Sequence, residues 1–259
     1  MSVIGLDVRR GGDGPAGGTG PDRAGGTWAV VTIERPERRN ALDTAACREL
    51  ATALGDAEER GARAVVLAGA DGNFCAGADL GTVRDDDFHP ALRRVLMGLV
   101  ETPMVCIAAV EGAALGAGVQ LAVACDLRVA RPDARFGVPA GRLGLAVDHW
   151  TVQRCALLAG QGSARAMLLG GQEIDGDTAL RTGFVQRPGG PAEAAAWAQE
   201  IAALAPLTLA AHKLALNRLV DEPDVPEVVE ARRRAWASRD LEEGIAAFRE
   251  RRPPRFEGR

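Results

Sequence analysis

The stretch from residue 104 to residue 125 constrains the fold more than any other part of the sequence. Residues 104–110 are all apolar, which predicts a strand buried on both faces. Residues 112–118 contain three glycines and no charge, and residues 119–125 form a second apolar run, interrupted by Gln120, that predicts a helix. A buried strand that passes through a glycine-rich turn into a helix is typical of an α/β core.

Strand and helix patterns also alternate on both sides of this stretch. Asp43 fits a helix N-cap, and the apolar spacing after it predicts an amphipathic helix that ends near Gly61. Strands are predicted at residues 2–9, 28–34 and 63–70, and further helices at residues 90–101, 192–204, 208–220, 225–238 and 241–251. Because no change in composition marks a second domain, we predict one α/β unit: residues 1–190 form the core and residues 191–259 a C-terminal helical region.

The composition limits the classes of function. The chain has 259 residues, is 47% hydrophobic and carries a formal net charge of −4, which allows one large core and gives no electrostatic case for binding nucleic acid. The sequence has no basic-then-apolar leader and no apolar span of about 18 residues, so neither export nor membrane insertion is predicted. The five cysteines lie far apart without zinc-site spacing, which predicts a reduced, cytoplasmic protein without a metal.

A glycine-rich stretch at residues 10–26 separates the first two predicted strands and is expected to be a loop. It contains a formal G-x-G-x-x-G motif at residues 12–17, but Pro15 and further glycines follow it instead of a helix. A dinucleotide site needs the N-terminus of that helix for the pyrophosphate, so we expect no dinucleotide there.

Three motifs along the chain point to one protein family. Arg-Pro-Glu-Arg-Arg-Asn-Ala-Leu occupies residues 35–42, Asn-Phe-Cys-Ala-Gly-Ala-Asp-Leu occupies residues 73–80, and a third motif extends from residue 107 to residue 128. Together they resemble the crotonase superfamily of enoyl-CoA hydratases and isomerases over nearly the whole chain. The resemblance implies a ClpP/crotonase-like spiral of repeated ββα units that binds an acyl-CoA thioester. It also implies C-terminal helices that build a homotrimer or a dimer of trimers.

Chemistry on an acyl-CoA thioester generates an enolate-like oxyanion, which two N–H donors must stabilise. The family resemblance assigns these donors to the backbone of Ala78 and Ala117, and glycines beside them allow the backbone to approach a ligand. The positive end of the helix predicted at residues 119–125 would reinforce this oxyanion hole. The alternative is that the small residues at positions 116–118 only pack a helix closely against a strand. The matching motif around Ala78 favours the oxyanion hole.

The two glutamates that hydratases of this family use are missing. Hydration of an enoyl-CoA needs one group that activates water and one that delivers a proton. The resemblance places these groups at Gln120, whose amide can orient water but cannot take up a proton, and at Ala140, which can do neither. We therefore predict that the protein lacks standard hydratase activity.

Asp148 is the candidate for a relocated base. The turn at residues 144–154 resembles that of the dienoyl-CoA isomerase branch, in which an aspartate at the position of Asp148 shuttles a proton. Asp148 also precedes a predicted helix that starts at His149, so the alternative is an N-cap, and the two roles can coexist. For His149 itself a packing or surface role is favoured over that of a base.

The resemblance also suggests how the rest of the ligand is held. It places the adenine of CoA against the backbone of residues 76–80, which include Ala76, Asp79 and Leu80. Arg38 or Arg39 is placed near the phosphates, with Lys213 a weaker candidate, and solvated loop arginines are the alternative. Apart from coenzyme A as part of the ligand, no cofactor is expected.

One apolar stripe could form a wall of the acyl pocket. Leu92 and Leu96 belong to this stripe on the helix predicted at residues 90–101, although any core helix would show the same pattern. Trp150 stands where hydratases tend to have glycine, so it is expected to fill space near the acyl group or to be a plain core residue.

Two hypotheses follow from the sequence. In the first, the protein binds acyl-CoA without turnover, similar to a mycobacterial hydratase-like branch of mycolic acid metabolism that lacks the catalytic glutamates. In the second, it is an enoyl-CoA isomerase, or a weak hydratase, that combines the oxyanion hole with Asp148 as the base.

Overall fold

The computed structural model describes residues 2–11, 26–82, 85–143, 146–218, 226–227, 230, 233–234, 237–252 and 254–259. The G-x-G-x-x-G stretch at residues 12–17 and half of the helix predicted at residues 225–238 lie outside the described residues. The same holds for residues 144–145 of the turn before Asp148.

Nine strands form two sheets within the described residues. They are β1 (Ile4–Arg10), β2 (Thr27–Ile33), β3 (Ala62–Gly69), β4 (Val105–Val110), β5 (Ala113–Leu115), β6 (Leu127–Ala130), β7 (Arg135–Gly137), β8 (Glu173–Asp175) and β9 (Arg187–Pro188). The large sheet has the order β1-β2-β3-β4-β6-β9, and only β1 and β2 pair antiparallel in it. The small sheet has the order β5-β7-β8. Every residue of β4 is buried, as the apolar run predicts for a strand covered on both faces.

Eight helices with described bounds surround these sheets. They are α1 (Thr44–Glu59), α2 (Phe88–Glu101), α3 (Ala117–Ala124), α4 (His149–Leu168), α5 (Gly176–Arg181), α6 (Pro191–Ala202), α7 (Pro206–Asn217) and α8 (Arg239–Glu250). The carboxylate of Asp43 accepts a hydrogen bond from the N–H of Ala46 at 2.8 Å, which confirms the predicted N-cap of α1. Gly160, with φ of 77°, kinks α4.

Successive turns of the chain repeat one arrangement. A strand of the large sheet is followed by a short extended segment and then by a helix, as in β4, β5 and α3. The short segments also pair in parallel with one another: Leu42 with Ala78, Cys75 with Ala114, and β5 with β7. This repetition is a spiral of ββα turns, and it brings the loops that precede α2 and α3 side by side.

Apolar residues fill both sides of the large sheet. One face packs against α1, α2 and α3, with Val65, Leu67 and Cys106 among its buried residues. The other face packs against α6, and Ile201 and Trp28 belong to the same buried apolar cluster there. The observed layers confirm the predicted α/β class. Among the described residues no single helix is long and apolar enough to cross a membrane. Helices α6 and α7 meet these criteria of length and composition only when they are taken together, and the angle between them is 113°.

Arg128 fixes the C-terminal end of α3. Its guanidinium is buried and donates to the carbonyl oxygens of Ala122 and Cys125, each at 3.0 Å, and to that of Phe184 at 2.6 Å. Burial lowers the pKa of Arg128 to about 10, so the group remains charged near neutral pH. A cation at this end of α3 complements the helix dipole and anchors the helix whose other end faces the candidate site.

Candidate functional site

Two glycine-containing loops meet at the N-terminus of α3. Gly77 has φ of 118° and Gly116 has φ of 53°, both in the region that favours glycine. A Cβ on Gly77 would lie 3.0 Å from the carbonyl oxygen of Leu115 and 3.9 Å from the nitrogen of Ala117, so the two loops are in contact. The N–H of Leu42 donates to the carbonyl of Gly77 at 2.8 Å and holds the first loop in place.

The N–H groups of Ala78 and Ala117 are two free donors at this junction. Neither donates a hydrogen bond to any described residue. Ala117 is the first residue of α3, where an N–H has no acceptor within the helix and where the helix dipole is positive. The neighbouring N–H of Asp79, by contrast, is satisfied by the carbonyl of Leu42 at 2.7 Å. The arrangement leaves two backbone donors in adjacent loops.

Close packing also operates here, as the alternative interpretation of the small residues predicts. A Cβ on Gly118 would lie 2.2 Å from the carbonyl oxygen of Cys75. Gly118 is therefore required by the contact between α3 and the segment that leads to Ala78, and packing and exposed donors coexist in one motif.

Gln120, Thr151 and Asp148 form a chain of hydrogen bonds between α3 and α4. The amide Nε2 of Gln120 donates to the hydroxyl of Thr151 at 2.8 Å, and this hydroxyl donates to Oδ1 of Asp148. The same Oδ1 accepts the N–H of Thr151 at 3.0 Å, which confirms Asp148 as the N-cap of α4. Gln120, one of the two positions that the family resemblance assigns to a glutamate, is thus connected to the candidate base through one hydroxyl.

The other oxygen of Asp148 faces α2. Its Oδ2 lies 3.5 Å from a guanidinium nitrogen of Arg93, and both side chains are about half exposed, at 46% and 59%. An exposed pair of this kind contributes at most about 1 kcal/mol. It leaves Oδ2 accessible at the surface between the two helices.

Ala140, Trp150 and His149 have simpler environments. Ala140 lies half-buried in a 3₁₀ helix, Pro139–Arg142, and brings no polar group. Trp150 is half-buried, packs against the core and has the guanidinium of Arg154 at 5.9 Å from its ring centre. His149 is exposed, in agreement with the surface role favoured for it.

The predicted CoA-binding residues lie on two adjacent segments. Arg38 and Arg39 are exposed and form no ion pair with a described residue. The N–H of Ala76 donates to the carbonyl of Arg39 at 3.0 Å, so the arginine pair is joined to the start of the 76–80 segment. Leu80 is 62% exposed, whereas the carboxylate of Asp79 is occupied by Arg35 at 3.7 Å and by the N–H of Gly81 at 3.0 Å.

Lys213 is not available to a phosphate group, which corrects the weaker of the CoA-binding predictions. The side chain is 5% exposed, and its ammonium group donates to the carbonyls of Leu99 at 2.8 Å and Met104 at 2.7 Å and to Asp126 at 2.8 Å. Burial alone would lower the pKa of Lys213, but the nearby Cys106 and Asp126 outweigh burial and raise it. All three N–H donors are consumed inside the protein.

Leu92 and Leu96 lie in the central core, at 5% and 2% exposure, as any core helix would place them. Their role as a wall of the acyl pocket stays a prediction. A cavity of about 450 Å³ occurs elsewhere, between the C-terminal end of α2 and α7, with residues such as Pro103 and Leu214 in its lining. Within the described residues no group of three or more His, Cys, Asp or Glu side chains is placed to hold a metal.

The chain is similar to known proteins in both sequence and fold. The sequence model of enoyl-CoA hydratase/isomerase matches residues 23–259. A probable enoyl-CoA hydratase of Mycobacterium tuberculosis, echA6, is 44% identical over 237 residues, which cover 89% of this chain and 96% of the relative. The short-chain-enoyl-CoA hydratase of Clostridium acetobutylicum is 34% identical over 245 residues, covering 88% and 93%.

The chain belongs to the enoyl-CoA hydratase/isomerase family. A crystal structure of an enoyl-CoA hydratase/carnithine racemase from Magnetospirillum magneticum matches the fold with a TM-score of 0.86 and 32% identity, over 100% of this chain and 97% of that one. The crotonase fold that the three motifs indicated is thereby confirmed, and so is the likeness to a mycobacterial hydratase-like member.

Two residues at the site of this family member were missed by sequence analysis. The spacing of Asp148 and Thr151 is that of an N-cap and its N3 residue, so a backbone contact could have been found. The hydroxyl of Thr151, however, meets Gln120 across 31 residues of sequence, and Arg93 reaches Asp148 from another helix. No local pattern signals contacts of this kind.

Proposed function

We propose that this member of the enoyl-CoA hydratase/isomerase family binds acyl-CoA thioesters in fatty-acid metabolism without standard hydratase activity. The observation that carries the proposal is a pair of unpaired N–H groups, on Ala78 and Ala117, near the amide of Gln120, where the family resemblance implies a carboxylate. The first feature serves thioester binding. The second removes the proton transfer that hydration needs.

The two N–H groups would receive the thioester carbonyl. Ala78 lies in a loop that touches the loop before α3, and Ala117 is the first residue of α3, whose dipole favours negative charge there. One such donor typically contributes about 3 kcal/mol to an oxyanion that develops on the ligand. The pair therefore supports polarisation of a bound thioester, whether or not turnover follows.

The groups required for hydration are absent from their positions. Gln120 carries a neutral amide that donates to Thr151, and Ala140 carries a methyl group. Loss of one general acid or base typically lowers the rate roughly 10²–10⁴-fold. The loss of both supports a protein that holds its ligand without adding water to it.

The rest of the ligand has candidate contacts on both sides of this junction. We propose that the exposed Arg38 and Arg39 meet the CoA phosphates, since no described carboxylate neutralises them, and that the backbone from Ala76 to Leu80 meets the adenine. Trp150 and the α2 leucines Leu92 and Leu96 would bound the acyl group.

We also propose a homotrimer or a dimer of trimers. The family resemblance supports this assembly, and Leu157, Leu169 and Leu216, which are 46%, 78% and 60% exposed, are candidates for its contacts.

A second candidate function is a double-bond isomerase with Asp148 as its base. The observation that favours it is that the two oxygens of the Asp148 carboxylate have different partners. Oδ1 takes both hydrogen bonds of the cap, while the exposed Arg93 is the only described residue that pairs with Oδ2. Oδ2 is therefore the oxygen that could accept a proton if Arg93 moves away.

A paired assay on the purified protein tests the proposal. Hydration of crotonyl-CoA is followed by the loss of enoyl absorbance, and calorimetry measures binding of short and long saturated acyl-CoAs. We expect binding without hydration. Hydration at a rate typical of the family would overturn the proposal, and isomerisation of a 3-enoyl-CoA that Asp148→Asn abolishes would favour the second candidate.

A further inference from the structure

A buried hydroxyl joins the two helices of the candidate site. Thr151 is fully buried, and its Oγ1 is in contact with both Nε2 of Gln120, at 2.8 Å, and Oδ1 of Asp148. A hydroxyl has one proton to donate and lone pairs that accept. The direction of each hydrogen bond in this chain is therefore fixed by what its partners can do.

The carboxylate of Asp148 can only accept, so the proton of the Thr151 hydroxyl points to Asp148. The lone pairs that remain on Oγ1 need a donor, and the NH₂ end of the Gln120 amide supplies it. The opposite orientation of the amide would place its carbonyl oxygen against an oxygen that has no second proton. One orientation of Gln120 is thus selected by Asp148 through Thr151.

This orientation leaves the carbonyl Oε1 of Gln120 without a partner among the described residues, on a side chain that is half-buried. Gln120 follows Ala117 by three positions in α3, so the two residues share one face of the helix. Because helical side chains tilt toward the N-terminus of their helix, the side chain that bears Oε1 extends back toward the end of α3 that carries the unpaired N–H of Ala117.

We propose that Thr151 is a positioning residue: its hydroxyl fixes the Gln120 amide with the oxygen toward the ligand, so that the site favours an acyl group bearing a hydrogen-bond donor there. The inference rests on the proposed acyl-CoA binding and adds a rule of selectivity to it. A threonine that served only the cap of α4 would act through its backbone N–H and would not influence the ligand.

The test compares two probes that differ by one hydroxyl. Calorimetry gives the affinities of butyryl-CoA and of each enantiomer of 3-hydroxybutyryl-CoA, and the readout is their ratio. A hydrogen bond to Oε1 predicts a preference of about 3- to 10-fold for one hydroxylated enantiomer in the unaltered protein. Thr151→Val, which keeps the shape and removes the hydroxyl, is expected to reduce the ratio to about one, while Thr151→Ser retains it.

Thr182→Val provides a matched control, because the Thr182 hydroxyl donates only to backbone carbonyls of its own helix region, those of Thr178 and Ala179. Its ratio should equal that of the unaltered protein. A ratio of one in the unaltered protein, or an unchanged ratio in Thr151→Val, overturns the role of Thr151. Loss of both ligands in Thr151→Val at an unchanged melting temperature overturns it as well, since the hydroxyl would then support the whole site.

The outcome also separates this inference from the proposed function. If butyryl-CoA binds and no enantiomer is preferred, only the role of Thr151 is refuted. If none of the three thioesters binds, the proposed function fails together with the inference.

Discussion

Lys213 donates to Asp126 across 2.8 Å in the interior of the protein, and the same ammonium group donates to the carbonyls of Leu99 and Met104. These bonds attach α7 to the end of α2 and the start of β4. Lys213→Met would remove the cation beside Asp126 and the strongest donor of both carbonyls, while the N–H of Cys106 would still donate to Asp126 at 2.8 Å. We expect the free energy of unfolding, measured with urea at pH 7, to fall by about 3–5 kcal/mol.

The exposed pair between Arg48 and Asp87 provides the control for this prediction. Its side chains are 63% and 72% exposed, at a separation of 2.7 Å. Arg48→Met should therefore change the stability by less than about 1 kcal/mol. Similar losses in the two variants would contradict a special role of burial at Lys213.

The five cysteines are predicted to be unreactive in the folded protein. Burial raises the pKa of Cys47, Cys75 and Cys106 to about 12 and that of Cys155 to about 11, and it raises the pKa of Cys125 well above its usual value. Because the thiolate is the nucleophile, almost none of it exists at pH 8.

Mass spectrometry after treatment with iodoacetamide at pH 8 checks this prediction. We expect no alkylation of the folded protein and five additions after unfolding in urea. Rapid alkylation of a single cysteine under native conditions would identify a segment that opens locally, and would contradict the prediction for that residue.

The sequence predicts the elements of this fold well where the signal is local. The N-caps Asp43 and Asp148 are confirmed because a cap involves residues only three positions apart. The helix predicted at residues 119–125 instead starts at Ala117, since the small residues of the turn already adopt helical geometry.

Contacts between segments that are distant in sequence could not be predicted from local patterns. Lys213 meets Leu99 across 114 residues of sequence, and no pattern in either segment distinguishes a buried ammonium from one that faces a phosphate. The environment of Gln120 likewise depends on Thr151, which belongs to a different helix. The motifs therefore place the site, whereas the partners of each side chain require the three-dimensional structure.

Gly118 is predicted to tolerate no side chain. A Cβ there would lie 2.2 Å from the carbonyl oxygen of Cys75, so Gly118→Ala must displace backbone and should destabilise the protein by about 1–3 kcal/mol. Gly55→Ala is the matched control, because Gly55 lies in α1 with no atom within 4 Å of the added Cβ. That variant should be more stable by about 0.5–1 kcal/mol in the same urea experiment. Equal effects of the two substitutions would refute the close contact of α3 with Cys75.

The two possible roles of Asp148 can be separated by substitution. Asparagine caps a helix about as well as aspartate but cannot accept a proton as a base, whereas alanine does neither. We expect Asp148→Ala to lower the free energy of unfolding by about 1 kcal/mol and Asp148→Asn to change it much less. If both variants lose stability equally, the N-cap contact of Asp148 with Thr151 is not what stabilises α4.

Glutamates at positions 120 and 140 should give the protein hydratase activity. The hydrogen bonds that connect position 120 with Asp148 should limit how much activity is gained. Gln120→Glu combined with Ala140→Glu restores both carboxylates, but the new glutamate at position 120 would face the Thr151 hydroxyl, whose proton already goes to Asp148. Two carboxylates that compete for one proton raise the pKa of one of them, so part of the new base would be protonated and inactive.

Adding Asp148→Asn removes the competing charge while it preserves the cap. The triple variant should therefore hydrate crotonyl-CoA faster than the double variant, and both should exceed the unaltered protein by roughly 10²-fold or more. The pH–rate profile gives a second check, because the base of the double variant should titrate at higher pH than that of the triple variant. If the double variant equals the triple variant in both rate and profile, Thr151 does not couple positions 120 and 148.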